Sequence, residues 1–292
     1  MNGKKKEKIH VVSFGEQVKS HKWLFVVYVL LRLSVIGILV AQVFNQDWES
    51  VFFCALALFL MMIPSFIEKN WHIDIPDTLE VIILLFIYAA EILGELRAYY
   101  INVPFWDTML HTITGFLAAA VGFSLCDIFN RNDRIKFDLS PFFLAFVAFC
   151  FSMTVGIIWE FFEFSADFFT GSDMQKDTIV HVINTTLLDP TKSNKVVHIK
   201  DITSTVVNGQ KLAINGYLDI GLIDTMKDLF VNFIGAVVFS FIGFFYTKSR
   251  GQGRFARRFI PTMKIDEYES ARKEKEEKKA MKLEKKKEKD KR

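Results

Sequence analysis

Six stretches of this chain, at roughly 23–43, 48–67, 78–96, 106–129, 141–168 and 224–246, are built mainly from Leu, Val, Ile, Ala and Phe. A bilayer core about 30 Å thick needs about 20 apolar residues per spanning helix. The six runs therefore predict an all-α fold, a polytopic bundle of six transmembrane helices. Windows such as VFFCALALFLMMI and AVVFSFIGFFY offer no polar face to turn toward water. A soluble fold of 292 residues has no use for so many runs of this length.

Lys and Arg in short loops set the orientation of such a bundle. The N-terminal segment carries Lys4, Lys5, Lys6, Lys8, Lys19 and Lys22, the 130–140 loop carries Arg131, Arg134 and Lys136, and the chain from Lys248 onward is heavily basic. With six spans these three regions fall on one side, so both termini are expected in the cytoplasm of a multi-pass cell-membrane protein. The first apolar run is too long for a signal peptide, contains Arg32 and lacks a small-x-small cleavage site, so it is expected to be retained. The expected organisation is a basic cytoplasmic N-terminus at 1–22, a membrane domain at 23–246, and a charged cytoplasmic tail at 247–292.

The long polar connection at 169–223 falls outside the cell in this topology. VVNGQKLAI within it reads as strand, Asn-Gly turn, strand, because Asn-Gly suits a type I′ hairpin. Residues 196–220 are thus expected to form a small β-hairpin cap, against the alternative of an unstructured loop. The tail is low in complexity, and its basic clusters suit anionic lipid head groups. Nucleic acid is not expected as a partner, since no aromatic interleaving or fold motif accompanies the charge. Cys54, Cys126 and Cys150 lie in apolar runs outside any CxxC pair and read as small packed hydrophobes.

Against this apolar background, ionisable and amide residues stand out, since such groups inside a membrane face the bundle interior or a wet cavity. Asp107 and His111 are four apart. Glu160, Glu163 and Asp167 follow i, i+3, i+7. Asp224, Asp228 and Asn232 follow i, i+4, i+8. Each set shares one helix face. In the expected topology all three stripes lie near the outer surface, with Glu91 and Glu95 at a similar level. Several carboxylates cannot all stay ionised together without a compensating cation.

Asp107, His111, Glu160, Glu163, Asp228 and Asn232 are accordingly the candidate ligand-binding set. Asp107, His111, Glu163 and Asp228 are candidate ligands for a divalent cation: Mg²⁺, Mn²⁺ or Ca²⁺ by their oxygens, Zn²⁺ with the imidazole. His111 and Glu160 are the candidates for acid–base work. Simpler roles stand beside these. Asp107 and Asp224 suit helix N-termini, Asn232 suits a cross-helix hydrogen bond, and a lone His is commonly a packing residue. Glu91, Glu95 and Arg97 suit an interface. Arg32, mid-span, needs a partner such as a bundle carboxylate.

The segments PSFIEKNWHIDIPDTLE, LGELRAYYINVPFWDTMLHTITGF, GIIWEFFEFSAD and GYLDIGLIDTMKDLFVNFIGA resemble the YjdF-like family of bacterial inner-membrane proteins over roughly residues 60–246. The wider arrangement, DxxxH, an acidic patch and then DxxxNxxGA, is similar to VanZ-like membrane proteins of the cell envelope. That likeness carries over to Asp107, His111, Glu160 or Glu163, Asp228, Asn232 and Gly235, and the 169–223 insertion departs from it. Both resemblances imply a membrane protein with a polar site and bring no established activity. Three readings follow: an outward-facing pocket that binds a cation or polar lipid head group, in envelope maintenance or transport; a membrane-embedded metal-dependent hydrolase or transferase acting on a lipid-linked substrate; and a membrane scaffold.

Overall fold

The computed structural model describes residues 22–71, 73–130, 139–249 and 253–263. The N-terminal lysines before Lys22, the 131–136 basic residues and the chain from 264 lie outside the described residues. The helices are α1 (Lys22–Asn45), α2 (Trp48–Leu60), α3 (Ile63–Trp71), α4 (Asp77–Ile87), α5 (Tyr99–Asn102), α6 (Trp106–Asn130), α7 (Pro141–Thr170) and α8 (Leu222–Lys248). Five helical spans among the described residues are long and apolar enough to cross a membrane: Lys22–Asn45, Trp48–Trp71, Trp106–Ile128, Pro141–Thr170 and Leu222–Lys248. Large apolar side chains stay exposed along them, Leu30, Phe52, Phe161 and Phe241 among them. That pattern fits lipid as the surrounding solvent.

The stretch expected as a third span, 78–96, differs from the other five. It is α4 continued by a π-helical segment, Tyr88–Leu96. Glu80, Glu91 and Glu95 dilute its apolar run, and wider winding shifts which side chains share a face. The span expected at 48–67 runs on to Trp71 but is interrupted at Met61 and Met62. Pro64 accounts for the break, since proline has no N–H and its ring clashes with the preceding turn.

The described chain packs as two units, and α6, α7 and α8 each contribute to both. In the first unit Val35 of α1 packs with Cys54, Ala57, Met61, Leu84, Ile87 and Ile92. Arg32 finds no carboxylate among the described residues. Its Nη2 donates to the Met61 carbonyl at 3.1 Å, and its guanidinium lies 3.8 Å above the Tyr28 ring. The helix break supplies that acceptor, which the sequence alone does not reveal.

The same unit contains an unexpected closure. Strand β1 (Ile73–Asp74) pairs antiparallel with β8 (Thr262–Met263). Between α8 and β8, Ala256, Phe259 and Ile260 are buried. The part of the expected 247–292 tail at 253–263 is therefore packed rather than free. Phe259 and Ile260 interrupt its basic residues, and burying them outweighs the charge pattern that reads as solvated tail.

The second unit holds the 169–223 connection. Strands β2 (Ile179–Val180) and β7 (Tyr217–Leu218) pair, as do β3 (Ile183–Thr185) with β4 (Val197–Ile199), and β5 (Val206–Val207) with β6 (Gln210–Lys211). Asn208 and Gly209 both have positive φ, 55° and 79°, as a type I′ turn requires. A two-residue ladder thus forms across the Asn208–Gly209 turn. The flanking strands pair back to 179–185, beyond the expected element at 196–220.

Candidate functional site

All the expected polar stripes fall within the second unit, carried by the first turns of α6, the last turns of α7 and the first turns of α8. Close helix approach brings α6 and α8 together. A Cβ on Gly115 would collide with the Asn232 carbonyl oxygen and lie 2.8 Å from its carbon. A Cβ on Gly235 would collide with the Thr112 carbonyl oxygen. Two glycines, each set against the other helix's backbone, let the main chains touch, as small residues do in membrane bundles. Gly156 of α7 makes similar room for the Asn232 side chain, whose Nδ2 would lie 2.8 Å from an added Cβ.

At this crossing His111 Nε2 lies 3.4 Å from Asp107 Oδ1 and 3.9 Å from Asp228 Oδ2. One ligand atom from each of Asp107, His111 and Asp228 falls within 4.8 Å of the others. These separations exceed the usual 2.7–3.2 Å of an N–H···O hydrogen bond. The two His111 distances fall within the roughly 4.2 Å that metal bonds of about 2.1 Å can span, and the group as a whole reaches to 4.8 Å. Asp228 is 2% exposed and Asn232 1%. Three enclosed oxygens here have no hydrogen-bond partner: Asp228 Oδ1, Asn232 Oδ1 and Glu160 Oε2. An orphaned buried acceptor costs about 1–3 kcal/mol, so this is a place built for a positively charged or donating group.

The other expected residues take different positions. Glu163 is buried, but its Oε1 accepts from the Trp159 indole at 2.8 Å, and it lies outside the tight Asp107–His111–Asp228 group. Trp159 is a partner that the sequence does not single out, since a Trp in an aromatic row reads as packing. Asn232 Nδ2 donates weakly to the Ser152 carbonyl at 3.4 Å, and its Oδ1 is buried with no hydrogen-bond partner. Glu160 neighbours Thr225 and Gln175, and Gln175 Nε2 donates to Thr225 Oγ1 at 2.6 Å.

Asp167 and Asp224 serve the backbone. Gly171, at φ +70°, ends α7, and the chain then turns into a strap over 172–178. Asp167 accepts from the Met174 amide at 2.6 Å and the Gln175 amide at 2.8 Å. Asp224 accepts from the Lys176 amide at 2.9 Å. Asp219 accepts from the Thr178 amide at 2.7 Å and from the Ile223 amide at 2.8 Å. Burial would raise the Asp219 carboxyl, but the Thr178, Ile223 and Gly221 amides together hold it below the ordinary range. The strap thus runs past Glu160 and the start of α8, with Gln175 as its inward polar residue. Gln175 lies outside the segments that carry the family resemblance and Thr225 falls between the spaced polar positions of α8, so helical spacing singles out neither.

Comparison with known proteins adds the class. The family described as Predicted membrane protein (DUF2238) matches residues 27–249. An uncharacterized protein of Thermotoga maritima is 24% identical over 104 residues, a match covering 36% of this chain and 52% of the relative. The chain thus spans about half the length of that curated relative. No solved structure matches it.

Proposed function

We propose that this chain, which belongs to the DUF2238 family of predicted membrane proteins, binds a divalent cation between α6 and α8. Asp107, His111 and Asp228 supply the ligands, and Asn232 and Glu160 complete the surroundings. The observation that carries the reading is the set of buried oxygens without partners, Asp228 Oδ1, Asn232 Oδ1 and Glu160 Oε2, together with the ligand atoms of Asp107, His111 and Asp228 within 4.8 Å of one another. An imidazole among carboxylates favours Mn²⁺ or Zn²⁺ over Mg²⁺ and Ca²⁺, which take oxygens almost alone. The competing arrangement is a protonated His111 paired with two aspartates. It leaves the Asn232 and Glu160 oxygens unanswered.

The YjdF-like and VanZ-like resemblances point the same way, toward an envelope protein with a polar site. With both termini cytoplasmic, the cluster lies near the outer surface beneath the 169–223 connection, where it serves cation handling or head-group recognition. A second reading, metal-dependent hydrolysis of a lipid-linked substrate, is favoured by Glu160. Asp107, His111 and Asp228 would hold the ion, which would supply an acidified water, and Glu160, with its unpartnered Oε2, would be the base.

The test is the metal content of the full chain purified in detergent without chelator. About one equivalent of Mn or Zn is expected, falling severalfold in Asp228→Asn, while elution as a folded species is kept. Wild-type protein with no bound divalent metal, and no thermal shift on adding Mn²⁺ or Zn²⁺, would overturn the proposal.

A further inference from the structure

Arg32 presents a different problem, in the first unit and apart from the cation cluster. An arginine carries five N–H donors. Among the described residues its one hydrogen bond goes to the Met61 carbonyl, and its Nε is enclosed with no acceptor. Its positive charge meets a ring face and a carbonyl, both neutral. A guanidinium within an apolar bundle requires an anion or a route to water.

The surroundings identify the anion. Helical side chains lean toward the helix N-terminus, so Arg32 extends toward Tyr28 and the start of α1. There the Tyr28 hydroxyl lies 3.2 Å from Ser65 Oγ and 3.5 Å from the Met61 carbonyl. Ser65 is exposed, between exposed Met62 and Phe66, and Lys69 follows one helical turn later on the same face. The nearby carboxylate of Glu68 is occupied by the Ile75 amide at 3.1 Å. Trp23 at the start of α1 and Trp71 at the end of α3 are both exposed, and exposed tryptophans mark the membrane–water boundary. At about 1.5 Å rise per residue, Tyr28 and Ser65 lie roughly 8–9 Å inside that boundary. An arginine stem and a flexed head group bridge such a gap.

We propose that Arg32, Tyr28, Ser65 and Lys69 form a binding site for a phosphate group, supplied from the side by the head group of an anionic membrane lipid. The guanidinium gives charge-assisted donors, the Tyr28–Ser65 hydroxyl pair adds a neutral one because its other proton lies between the two oxygens, and Lys69 meets the outer phosphate oxygens. Zwitterionic lipid presents the same phosphate with its own cation attached, and it binds more weakly beside Lys69. A soluble phosphate shares the chemistry but would have to cross the lipid-facing side of the site.

The experiment uses the full chain in detergent, delipidated, at 0.5 M salt so that interactions with the basic terminal sequences are screened. It is titrated with phosphatidylglycerol, phosphatidylcholine or inorganic phosphate, with retained lipid read by native mass spectrometry and stability by thermal shift. Phosphatidylglycerol is expected to bind and stabilise. Arg32→Leu should weaken its retention about tenfold, the loss of one charged hydrogen bond. Ser65→Asp sits on an exposed position and gives Arg32 an internal carboxylate, so it should fold and yet refuse the anionic lipid. Stabilisation by inorganic phosphate that depends on Arg32 would assign the site to soluble phosphates. Equal retention of phosphatidylglycerol in wild type and Ser65→Asp, with no response to phosphate, would overturn the proposal.

Discussion

The α6–α8 crossing makes a sharp prediction through its two glycines. In Gly235→Ala the new Cβ meets the Thr112 carbonyl oxygen, the Phe116 amide nitrogen at 2.8 Å and the Thr112 carbonyl carbon at 3.1 Å. In Gly115→Ala it meets the Asn232 carbonyl carbon at 2.8 Å and Cα at 2.9 Å. Every one of these neighbours is main chain, so no side chain can swing aside. Restoring ordinary contact at 3.4–4 Å parts the helices locally by about 1 Å, an overpacking strain of about 1–3 kcal/mol per substitution. The same movement opens His111–Asp228 from 3.9 Å to about 5 Å, beyond the roughly 4.2 Å that one ion with 2.1 Å bonds can bridge. Gly37→Ala is the control, because nothing lies within 4 Å of a Cβ placed there. Thermal denaturation followed by detergent size-exclusion chromatography should show both crossing variants melting at least about 3 °C lower and losing bound divalent metal, while Gly37→Ala is unchanged or slightly more stable. Identical melting of all three, with metal retained, would refute the close crossing and the site geometry built on it.

Asp189 sits in a turn of its own making. The Thr191 hydroxyl and the Lys195, Thr191 and Ser193 amides hold its carboxyl down to about 2. A depressed folded-state value gives stability that is present above the unfolded value of about 3.9 and lost as pH falls through about 2. Hydrogen-exchange protection over 185–197, measured relative to the intrinsic exchange rate at each pH, should therefore fall between about pH 4 and 2, a pH dependence absent in Asp189→Asn. Truncation after Met263 should leave the melting temperature intact. Truncation after Ser249 removes buried Ile260 and Phe259 and should cost at least about 2–5 kcal/mol, read as a lower midpoint or loss of the folded peak. Asp167→Asn should raise proteolytic cleavage near Gly171 to Thr178 by releasing the Met174 and Gln175 amides, with the α6–α8 ligands unaffected.

The bundle is legible in the sequence because apolar length is a direct signature of a membrane span, and the helical spacing of Asp107/His111 and Asp228/Asn232 places those pairs on common faces. The break at Met61 is less so. Pro64 warns of it, but the use of the Met61 carbonyl by Arg32 depends on which helix packs alongside. Asp167 and Glu163 look alike in sequence, one turn apart on an acidic stripe, yet one clamps backbone amides and the other answers a tryptophan. Side-chain spacing reports a face and not a partner. The packing of Phe259 and Ile260 is hidden by the surrounding charge, since composition averaged over a tail conceals a few anchoring residues. Gly115 reads as an unremarkable glycine until the opposing carbonyl is seen.

The strap over 172–178 is fastened through the main-chain amides of Met174, Gln175, Lys176 and Thr178. Nineteen of the twenty amino acids bring that same amide, so evolution has had wide freedom to rewrite these side chains while leaving the fastening in place. Selection should fall instead on the three aspartates that accept from those amides, Asp167, Asp219 and Asp224, and on the exclusion of proline from four particular positions. A designer wishing to change what passes over the cluster has the same freedom: new chemistry can be written at Met174 or Lys176 without re-engineering the anchor.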